Sequence, residues 1–414
     1  MKVIHCPRRF TQSHWGGTET CILNLARAQR GAGIDARIFT SKALCATPDE
    51  EVQSVPVRRF NYQYPFLNLS DQSRQAFDLS GGNLLSMRLF GALCQEKNVT
   101  LLHAHSGKRL GAVVRTAAHL RGIPYVISLH GGQADIPDVI TVARDGLRRG
   151  SFEWGKVAGA VLGARRVLDD AAAIFCVGRN EQDKMQQRYP EKQVEYVPNG
   201  VDVAHFSRPV QNNFRARHGI PANAEVMLNV GRIDPQKNQL LLIETLSKLT
   251  GIRPNLHLLL IGHITDEDYA ATLRAAIKRL DLASRVTLLP GLPADSADLV
   301  AAYQSSNLFC LPSIHEPFGI AILEAWAAGL PVITSNVGGI SGFTRDGENV
   351  LLADNFDTVT WASLILGCLK SPQLVDNLIE HAFKEVVSHY DWPIINARVT
   401  DIYNHLTQER RRYA

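Results

Sequence analysis

The chain is poor in paired cysteine: its seven cysteines, Cys6, Cys21, Cys45, Cys94, Cys176, Cys310 and Cys368, are scattered, and no C-x-x-C occurs. An odd, dispersed set indicates neither a disulfide framework nor a zinc site and fits a reducing compartment. Long apolar runs are missing too. The strongest, such as Leu256–Gly262, is strand-sized, far below the roughly 18 residues needed to cross a bilayer. The opening Met1-Lys2-Val3-Ile4-His5-Cys6-Pro7 is too short an apolar stretch for a signal-peptide core, so a cytoplasmic location is expected and export is not. No G-x-x-x-x-G-K-S/T is present, which disfavours ATPase activity. No fixed repeat of about 20 to 50 residues appears, which sets aside solenoids and propellers.

Net charge is likewise small. Over 414 residues the formal charge is +4, with 45% hydrophobic and 20% charged residues, an ordinary soluble composition that excludes disordered, collagen-like and coiled-coil classes. The distribution is uneven: residues 1–205 carry 26 Lys/Arg against 19 Asp/Glu, and residues 206–414 carry 18 against 21. Basic doublets recur in the first half (Arg8-Arg9, Arg58-Arg59, Lys108-Arg109, Arg148-Arg149, Arg165-Arg166), and Arg410-Arg411-Arg412 closes the chain. Solvated surface charge is the plain reading. The functional one is attraction to an anionic membrane face or a phosphorylated acceptor. Nucleic acid is not expected, because the doublets are not interleaved with stacking aromatics.

Short β-branched runs alternate with helix-period segments along the whole chain, the pattern of βαβ units feeding parallel sheets. Strands are expected at residues 2–6, 36–40, 55–60, 100–105, 125–129, 173–177 and 194–197. In the second half they are expected at 226–230, 257–261, 286–289, 308–311, 332–334 and 349–352. Pro198, Pro209, Asn212 and Asn213 interrupt the pattern where the charge changes sign, which divides the chain into residues 1–205, 206–390 and a helical tail, 391–414.

In open α/β sheets ligands bind beyond the carboxyl ends of strands, where helix N-termini gather. The polar and Gly-rich clusters of this chain fall there: His14-Trp15-Gly16-Gly17-Thr18-Glu19, His130-Gly131-Gly132, Asn199-Gly200, Gly231-Arg232 with Lys237, and Ser313-Ile314-His315-Glu316-Pro317-Phe318-Gly319. Pro317 and Gly319 make a tight turn into a helix starting near Ile320, so the amides of Phe318, Gly319 and Ile320 can seat an anion. Arg232 and Lys237 can supply cations to it. Glu316 enters the turn, and Glu324 lies just over one turn into the helix. No Asp-x-Asp constellation is read at a strand end, which fits cations rather than Mg²⁺ at the leaving group. His103 and His105 share one face of a strand end; without a third ligand they read as polar lining of a cleft rather than a metal pair. Cys6 and Cys176 read as core residues, and Asn68-Leu69-Ser70 and Asn98-Val99-Thr100 as chance sequons.

The run Glu316-Pro317-Phe318-Gly319-Ile320-Ala321-Ile322-Leu323-Glu324, a Glu-x7-Glu motif, resembles the defining motif of the retaining glycosyltransferases of family 4. Gly16-Gly17-x-Glu19, His130, Gly231-Arg232 with Lys237, Leu311-Pro312-Ser313, Ala328-Gly329-Leu330-Pro331-Val332 and Gly338-Gly339 match in order, over nearly the whole chain. One departure stands out: Ser341-Gly342 occupies the place where the family commonly has Pro-Glu. The resemblance implies an α/β GT-B fold, two facing Rossmann-like doubly wound domains with a C-terminal helix returning to the first. It implies a nucleotide-sugar donor held mostly by the second domain.

Carried over residue by residue, the resemblance assigns Arg232, Lys237, Gly319, Ile320 and Gly17 to the donor diphosphate and Glu324 to the ribose hydroxyls. It assigns Glu316, Phe318, Gly319 and His130 to the transferred sugar, with Glu316 and His130 as the catalytic pair. Gly16, His105 and Asn199 are candidates for the acceptor side. No metal or other cofactor is expected. The expected reaction moves a hexose, from a UDP-sugar or GDP-mannose, to a hydroxyl acceptor, a lipid-linked or other saccharide of envelope, lipopolysaccharide or exopolysaccharide synthesis. Peripheral contact of the basic first domain with the anionic inner membrane goes with that expectation. The rivals are a GT-B UDP-sugar epimerase and a non-catalytic nucleotide-sugar-binding protein.

Overall fold

The computed structural model describes residues 1–11, 16–45, 47, 49–67, 69–131, 154–211 and 213–413, leaving aside the side chains of 80, 156, 157 and 409–413. His14, Trp15, Gly132, Asn68, Asn212 and the Arg148-Arg149 doublet lie outside the described residues, as do the side chains of Arg410-Arg411-Arg412. Two compact units result: Met1–Pro198 with Pro393–Ala414, and Asn199–Trp392. The division falls at 198/199 rather than the expected 205/206, for a local reason. Val201 bridges to Asp391, and Asp202 caps the helix Val203–Ser207, whose Phe206 packs edge-on against Tyr303 at 5.5 Å. Residues 199–207 are thus held by the second unit before the proline-rich stretch begins.

The first unit contains β1 (Lys2–Cys6), β2 (Asp35–Ser41), β3 (Asp49–Val52), β4 (Val55–Phe60), β5 (Leu101–Ala104), β6 (Tyr125–Leu129), β7 (Ala173–Cys176) and β8 (Gln193–Tyr196). They form one sheet in the order β3-β4-β2-β1-β5-β6-β7-β8, parallel except where β3 pairs antiparallel with β4. Sequence reading misses β3 because its DEEV carries no apolar alternation. As an edge strand it is held by its backbone ladder to β4, and its charges suit an exposed rim.

The second unit contains β9 (Glu225–Val230), β10 (Leu256–Gly262), β11 (Val286–Pro290), β12 (Leu308–Leu311), β13 (Val332–Ser335) and β14 (Leu351–Ala353). This sheet is all parallel, in the order β11-β10-β9-β12-β13-β14, which is the doubly wound 3-2-1-4-5-6 order. Its strands are apolar on both faces. Leu228, Leu259, Ile261, Phe309 and Leu311 enter one core with Tyr303 and Trp326, and Met227, Leu258, Leu260, Leu308 and Cys310 enter the other with Leu242 and Trp361. Side chains alternate between faces at period two, so helices on both sides are needed to cover them.

Strand order reverses between β1 and β5 in the first sheet and between β9 and β12 in the second. Adjacent loops part at such a point and leave a crevice at the carboxyl ends. Each unit therefore carries one topologically defined place for a ligand.

The helix Trp392–Tyr413 packs on the first unit from residue 393 onward. Asn396 Nδ2 donates to the Ala28 carbonyl at 3.3 Å, and Tyr403, fully buried, stacks on Phe175 and places its hydroxyl 2.6 Å from His103 Nδ1. Truncating a buried aromatic of this kind costs about 3–5 kcal/mol. Tyr403→Ala should lower the thermal midpoint of the first unit accordingly. Arg398→Ala, which breaks an exposed pair with Glu195 at 3.6 Å, should change stability by no more than about 1 kcal/mol. Differential scanning calorimetry of the two variants checks the contrast.

Candidate active site

The second unit's crevice is built by the loops after β9 and β12. The β9 loop turns at Gly231, with Lys237 lying over it; the Lys237 Cδ is 3.6 Å from where a Gly231 Cβ would stand. Asp234 Oδ1 accepts from the Lys237 amide at 3.2 Å and fixes that turn. The Lys237 ammonium then pairs with the Glu316 carboxylate on the β12 loop, both largely buried. Ser313 Oγ donates to the same Glu316 oxygen at 3.3 Å. Gln236 stitches the loops a second time: its Nε2 donates to the His315 carbonyl at 2.7 Å, and its carbonyl accepts from the Ile314 amide at 2.8 Å. Arg232 is half exposed and turned toward Asp234 at 3.2 Å and Gln236 at 3.3 Å. The structure thus joins Lys237 to Glu316 directly, and ties Arg232 to the Lys237 turn through Asp234 and to the β12 loop through Gln236.

Gly319 caps the helix Ile320–Ala327 with φ +94°, a left-handed conformation that favours glycine, and no side chain caps the first-turn amides. A helix N-terminus without a side-chain cap leaves its N–H groups to a ligand or to water, with the positive end of the dipole behind them. Phe318, by contrast, is 2% exposed and packs on Phe343 at 5.0 Å, so only its backbone is offered to a ligand.

The Gly338-Gly339 loop after β13 closes the third side. A Cβ on Gly339 would stand 1.9 Å from the Pro317 carbonyl, and one on Gly338 2.3 Å from the Glu316 carbonyl; the Gly339 amide donates to the latter at 2.8 Å. Ser341-Gly342, the departure noted in the sequence, lies in the short turn Ile340–Gly342. Ser341 Oγ donates to the Gly338 carbonyl at 3.0 Å, so the loop keeps its seat without Pro-Glu.

Glu324 sits on the Ile320–Ala327 helix and accepts from the Tyr303 hydroxyl at 2.6 Å. Burial raises its pKa, and the Tyr303 bond offsets part of that rise. Tyr303 is completely buried, so it holds one carboxylate oxygen and leaves the other. Sequence reading found Glu324 and the cluster holding Ser313 but not Tyr303, Asp234 or Gln236, because supporting residues carry no spacing of their own. Asp266-Glu267-Asp268, just past β10, is an Asp-x-Asp that the strand-end reading left out. Asp266 caps the helix Glu267–Arg279 by accepting from Tyr269 N, a structural task.

In the first unit Gly16 caps the helix Gly17–Gly31, and Glu19 in its first turn is buried against Arg9 at 3.2 Å. Burial raises the Glu19 carboxyl pKa, and the Arg9 charge partly offsets this. His130 follows β6 and is partly exposed, with its pKa lowered by desolvation to about 4. His105, the candidate for cleft lining on the acceptor side, offers no free ring nitrogen. It is 7% exposed, and both its ring nitrogens are occupied, by His5 at 2.9 Å and His130 at 3.0 Å. Asn199 is also interior, with its Oδ1 unpartnered. His5, His103 and His105 bring one ring nitrogen each within 4.8 Å of one another. Sequence reading missed His5, which lies opposite His103 in the ladder; a histidine inside an apolar strand was the available signal.

The basic doublets are mixed: Arg59 and Arg109 are buried and Arg8, Arg9 and Arg58 partly exposed, whereas Lys108, Arg165 and Arg166 are exposed. Arg8 donates to the carbonyls of Phe77, Asp78 and Gly82, Arg59 to that of Phe10 and to Glu50, and Arg109 to those of Asn83 and Gly155.

Comparison with known proteins bears on the same regions. The description "Glycosyl transferase 4-like domain" matches residues 16–200, and "Glycosyl transferases group 1" matches residues 210–385. The chain belongs to the family 4 glycosyltransferases, and its fold is GT-B. It is 27% identical over 409 residues to a D-inositol 3-phosphate glycosyltransferase of Thermobispora bispora, covering 96% of this chain and 91% of that one. Its fold is similar to Anabaena HepE crystallised with UDP and glucose, with TM-score 0.72, 20% identity, and coverage of 98% and 100%. Sucrose-phosphate synthase of Thermosynechococcus elongatus gives TM-score 0.72 at 21% identity, covering 99% and 100%.

A raised carboxyl pKa means that ionised Glu324 opposes folding. The cost is absent at a pH below the ordinary carboxylate range and grows as pH rises through it. Glu324→Gln keeps an oxygen for Tyr303 and removes the charge. It should raise the thermal midpoint at pH 7, by about 2–4 °C for each kcal/mol relieved, and the gain should vanish near pH 4. Melting curves at the two pH values check the sign.

Proposed function

We propose that this glycosyltransferase is a retaining, metal-independent hexosyltransferase that uses a nucleoside diphosphate sugar, a UDP-hexose in the first instance. One observation carries the reading: a buried Lys237–Glu316 pair stands ahead of the uncapped N-terminus of the Ile320–Ala327 helix. Breaking the anomeric bond leaves negative charge on a nucleoside diphosphate. A preorganised ammonium and a helix N-terminus stabilise charge where it develops. Lys237 and Arg232 would take the diphosphate together with the Gly319 and Ile320 amides, and Gly17 would approach it from the first unit. Glu316, freed from Lys237, would hold the sugar, with the backbone at Phe318 and Gly319. Glu324, with one oxygen fixed by Tyr303, would accept from the ribose hydroxyls. His130 would meet a sugar hydroxyl. In the transfer step the bond from anomeric carbon to phosphate oxygen breaks, the acceptor oxygen bonds to that carbon on the same face, and its proton passes to the departing phosphate.

For the acceptor, the relatives' printed name and the positive first unit favour a soluble hydroxyl compound bearing phosphate over the lipid-linked saccharide read from sequence. Arg59 and Arg109 are buried, so these two contribute little to a membrane-facing patch. Gly16 and Asn199 remain the proposed acceptor-side positions, through their backbone.

Lys237→Ala and Glu316→Ala should each lower turnover of a UDP-hexose by at least about 10²-fold, the scale for one preorganised charge-stabilising group. Near wild-type rates in folded protein would remove the site. An assay offering inositol phosphate and a lipid-linked saccharide in separate arms decides the acceptor, and an isomerised sugar with no acceptor present would reveal an epimerase. EDTA should leave turnover unchanged, and restoration by Mg²⁺ or Mn²⁺ after its loss would overturn the cation-based leaving-group argument.

A further inference from the structure

One face of the first sheet, at its reversal point, carries side chains that no family assignment above accounts for. His5 of β1 stands opposite His103 of β5 in the ladder, and His105 follows on the same face. The helix Gly17–Gly31 lays Gln29 over them, and the C-terminal helix lays Tyr403 there. Gln29, His5 and His103 are 0% exposed. The contacts run in one line: Gln29 Oε1 to His5 Nε2 at 2.8 Å, His5 Nδ1 to His105 Nε2 at 2.9 Å, and His105 Nδ1 to His130 Nε2 at 3.0 Å.

We infer that this Gln29–His5–His105–His130 relay holds His130 in a single neutral tautomer, Nε2 protonated and Nδ1 bare, so that His130 can only accept a hydrogen bond and selects a neutral hydroxyl on its ligand. The inference rests on the reading that His130 meets the donor sugar.

The direction follows from counting protons. Each neutral imidazole has one N–H, so every link must point the same way, and the end of the line decides which. The Gln29 carbonyl oxygen faces His5 and can only accept; His5 therefore donates from Nε2, His105 donates to His5 from Nε2, and His130 donates to His105 from Nε2. Burial raises the Tyr403 pKa and the neighbouring Gln29 side chain offsets part of that rise, while Gln29 Nε2 itself makes no hydrogen bond. The Tyr403 hydroxyl can then donate to His103 Nδ1 at 2.6 Å, and His103 Nε2 can donate to Ser128 Oγ at 2.7 Å. All four rings take the Nε2–H form, which is the intrinsically preferred one for a histidine side chain. Reversing the Gln29 amide would put all four in the less favoured form.

The rings also stay neutral. Burial lowers His5 and His130 to about 4 and holds His103 and His105 well below the ordinary value, and among the described residues the charges acting on them are one another's. The groups packed around them, Gln29, Ser128, Phe175 and Tyr403, bring no carboxylate or cation. A metal bound by His5, His103 and His105 would have to displace hydrogen bonds already made by both nitrogens of each ring. Among the described residues nothing pairs with His130 Nδ1. A bare nitrogen accepts from a sugar hydroxyl and repels a carboxylate, so a hexose is favoured over a hexuronate.

The test is long-range ¹H–¹⁵N correlation on full-length protein labelled at histidine, from about pH 5.5 to 8, beside hydrolysis of a UDP-hexose and a UDP-hexuronate. The relay predicts His130, His105 and His5 as Nε2–H throughout, with no titration near the ordinary histidine value of about 6.5. It predicts a hexose preference of about 10- to 100-fold, the scale of one mismatched buried hydrogen-bonding group. In Gln29→Leu, His130 should populate both tautomers and the sugar preference should shrink, with the remaining histidine signals in place. In Gln29→Glu, a proton drawn into the line should make His5 titrate and add an ionisation to the pH–rate profile. A His130 that is Nδ1–H, that titrates near 6.5, or that is unmoved by both Gln29 variants overturns the relay. The tautomer spectra need no substrate. If they agree and neither sugar nucleotide is turned over, the proposed reaction fails while the relay stands.

Discussion

The ion pair between Lys237 and Glu316 is the constraint around which the second unit's crevice is arranged. Two charges this far removed from water are held only where their mutual attraction and added hydrogen bonds offset the loss of hydration. That requirement explains the company they keep: Ser313 on the Glu316 oxygen, Asp234 fixing the turn that presents Lys237, and Gln236 stitching one loop to the other. It also explains the glycines. The Gly338-Gly339 loop lies against the Glu316 and Pro317 carbonyls at distances no side chain could share. In the proposed reaction the two partners would serve different parts of one ligand, since a diphosphate attracts the ammonium and a sugar's hydroxyls attract the carboxylate.

The first unit meets the same topological position with the opposite electrostatic choice. Its reversal point between β1 and β5 carries uncharged imidazoles, kept neutral by burial, where the second unit's carries ions. Buried polar groups are tolerated mainly when their hydrogen bonds are made, and along the line from Gln29 to His130 both nitrogens of His5 and of His105 are paired. The C-terminal helix is part of that solution. Without Tyr403 the polar face would open at His103, so the returning helix covers a histidine core as well as an apolar one.

Much of the architecture was legible because its signals are local. Thirteen of the strands announced themselves as β-branched runs with charged or glycine-rich boundaries, and the Glu-x7-Glu spacing placed two carboxylates on one turn and helix. What stayed hidden depends on contacts distant in sequence. Tyr303 reaches Glu324 from a separate helix, and Gln29 reaches His5 from the helix packed on its strand; neither has a neighbour in sequence that hints at a partner. β3 was hidden for another reason, since an edge strand of acidic residues depends on its ladder and not on apolar alternation. The engagement of both His105 ring nitrogens was hidden too, since its partners His5 and His130 come from distant stretches of sequence.

The arginine doublets show why charge counted along a chain is a weak guide to surface potential. Arg59 lies inside its unit and Arg8 is partly buried, and both satisfy backbone carbonyls, which a guanidinium can do because it offers several donors in a fixed plane. The buried Arg59 adds to the unit's total charge and little to any patch. The groups that would decide between acceptors are therefore few and positional. A phosphate requires a cation or a helix terminus in reach, and a neutral sugar requires hydroxyl partners such as a bare imidazole nitrogen. Charge is concentrated at the Lys237–Glu316 pair in the second unit, where a departing diphosphate would be stabilised, and uncharged imidazoles occupy the reversal point of the first, where only a neutral partner would be accepted.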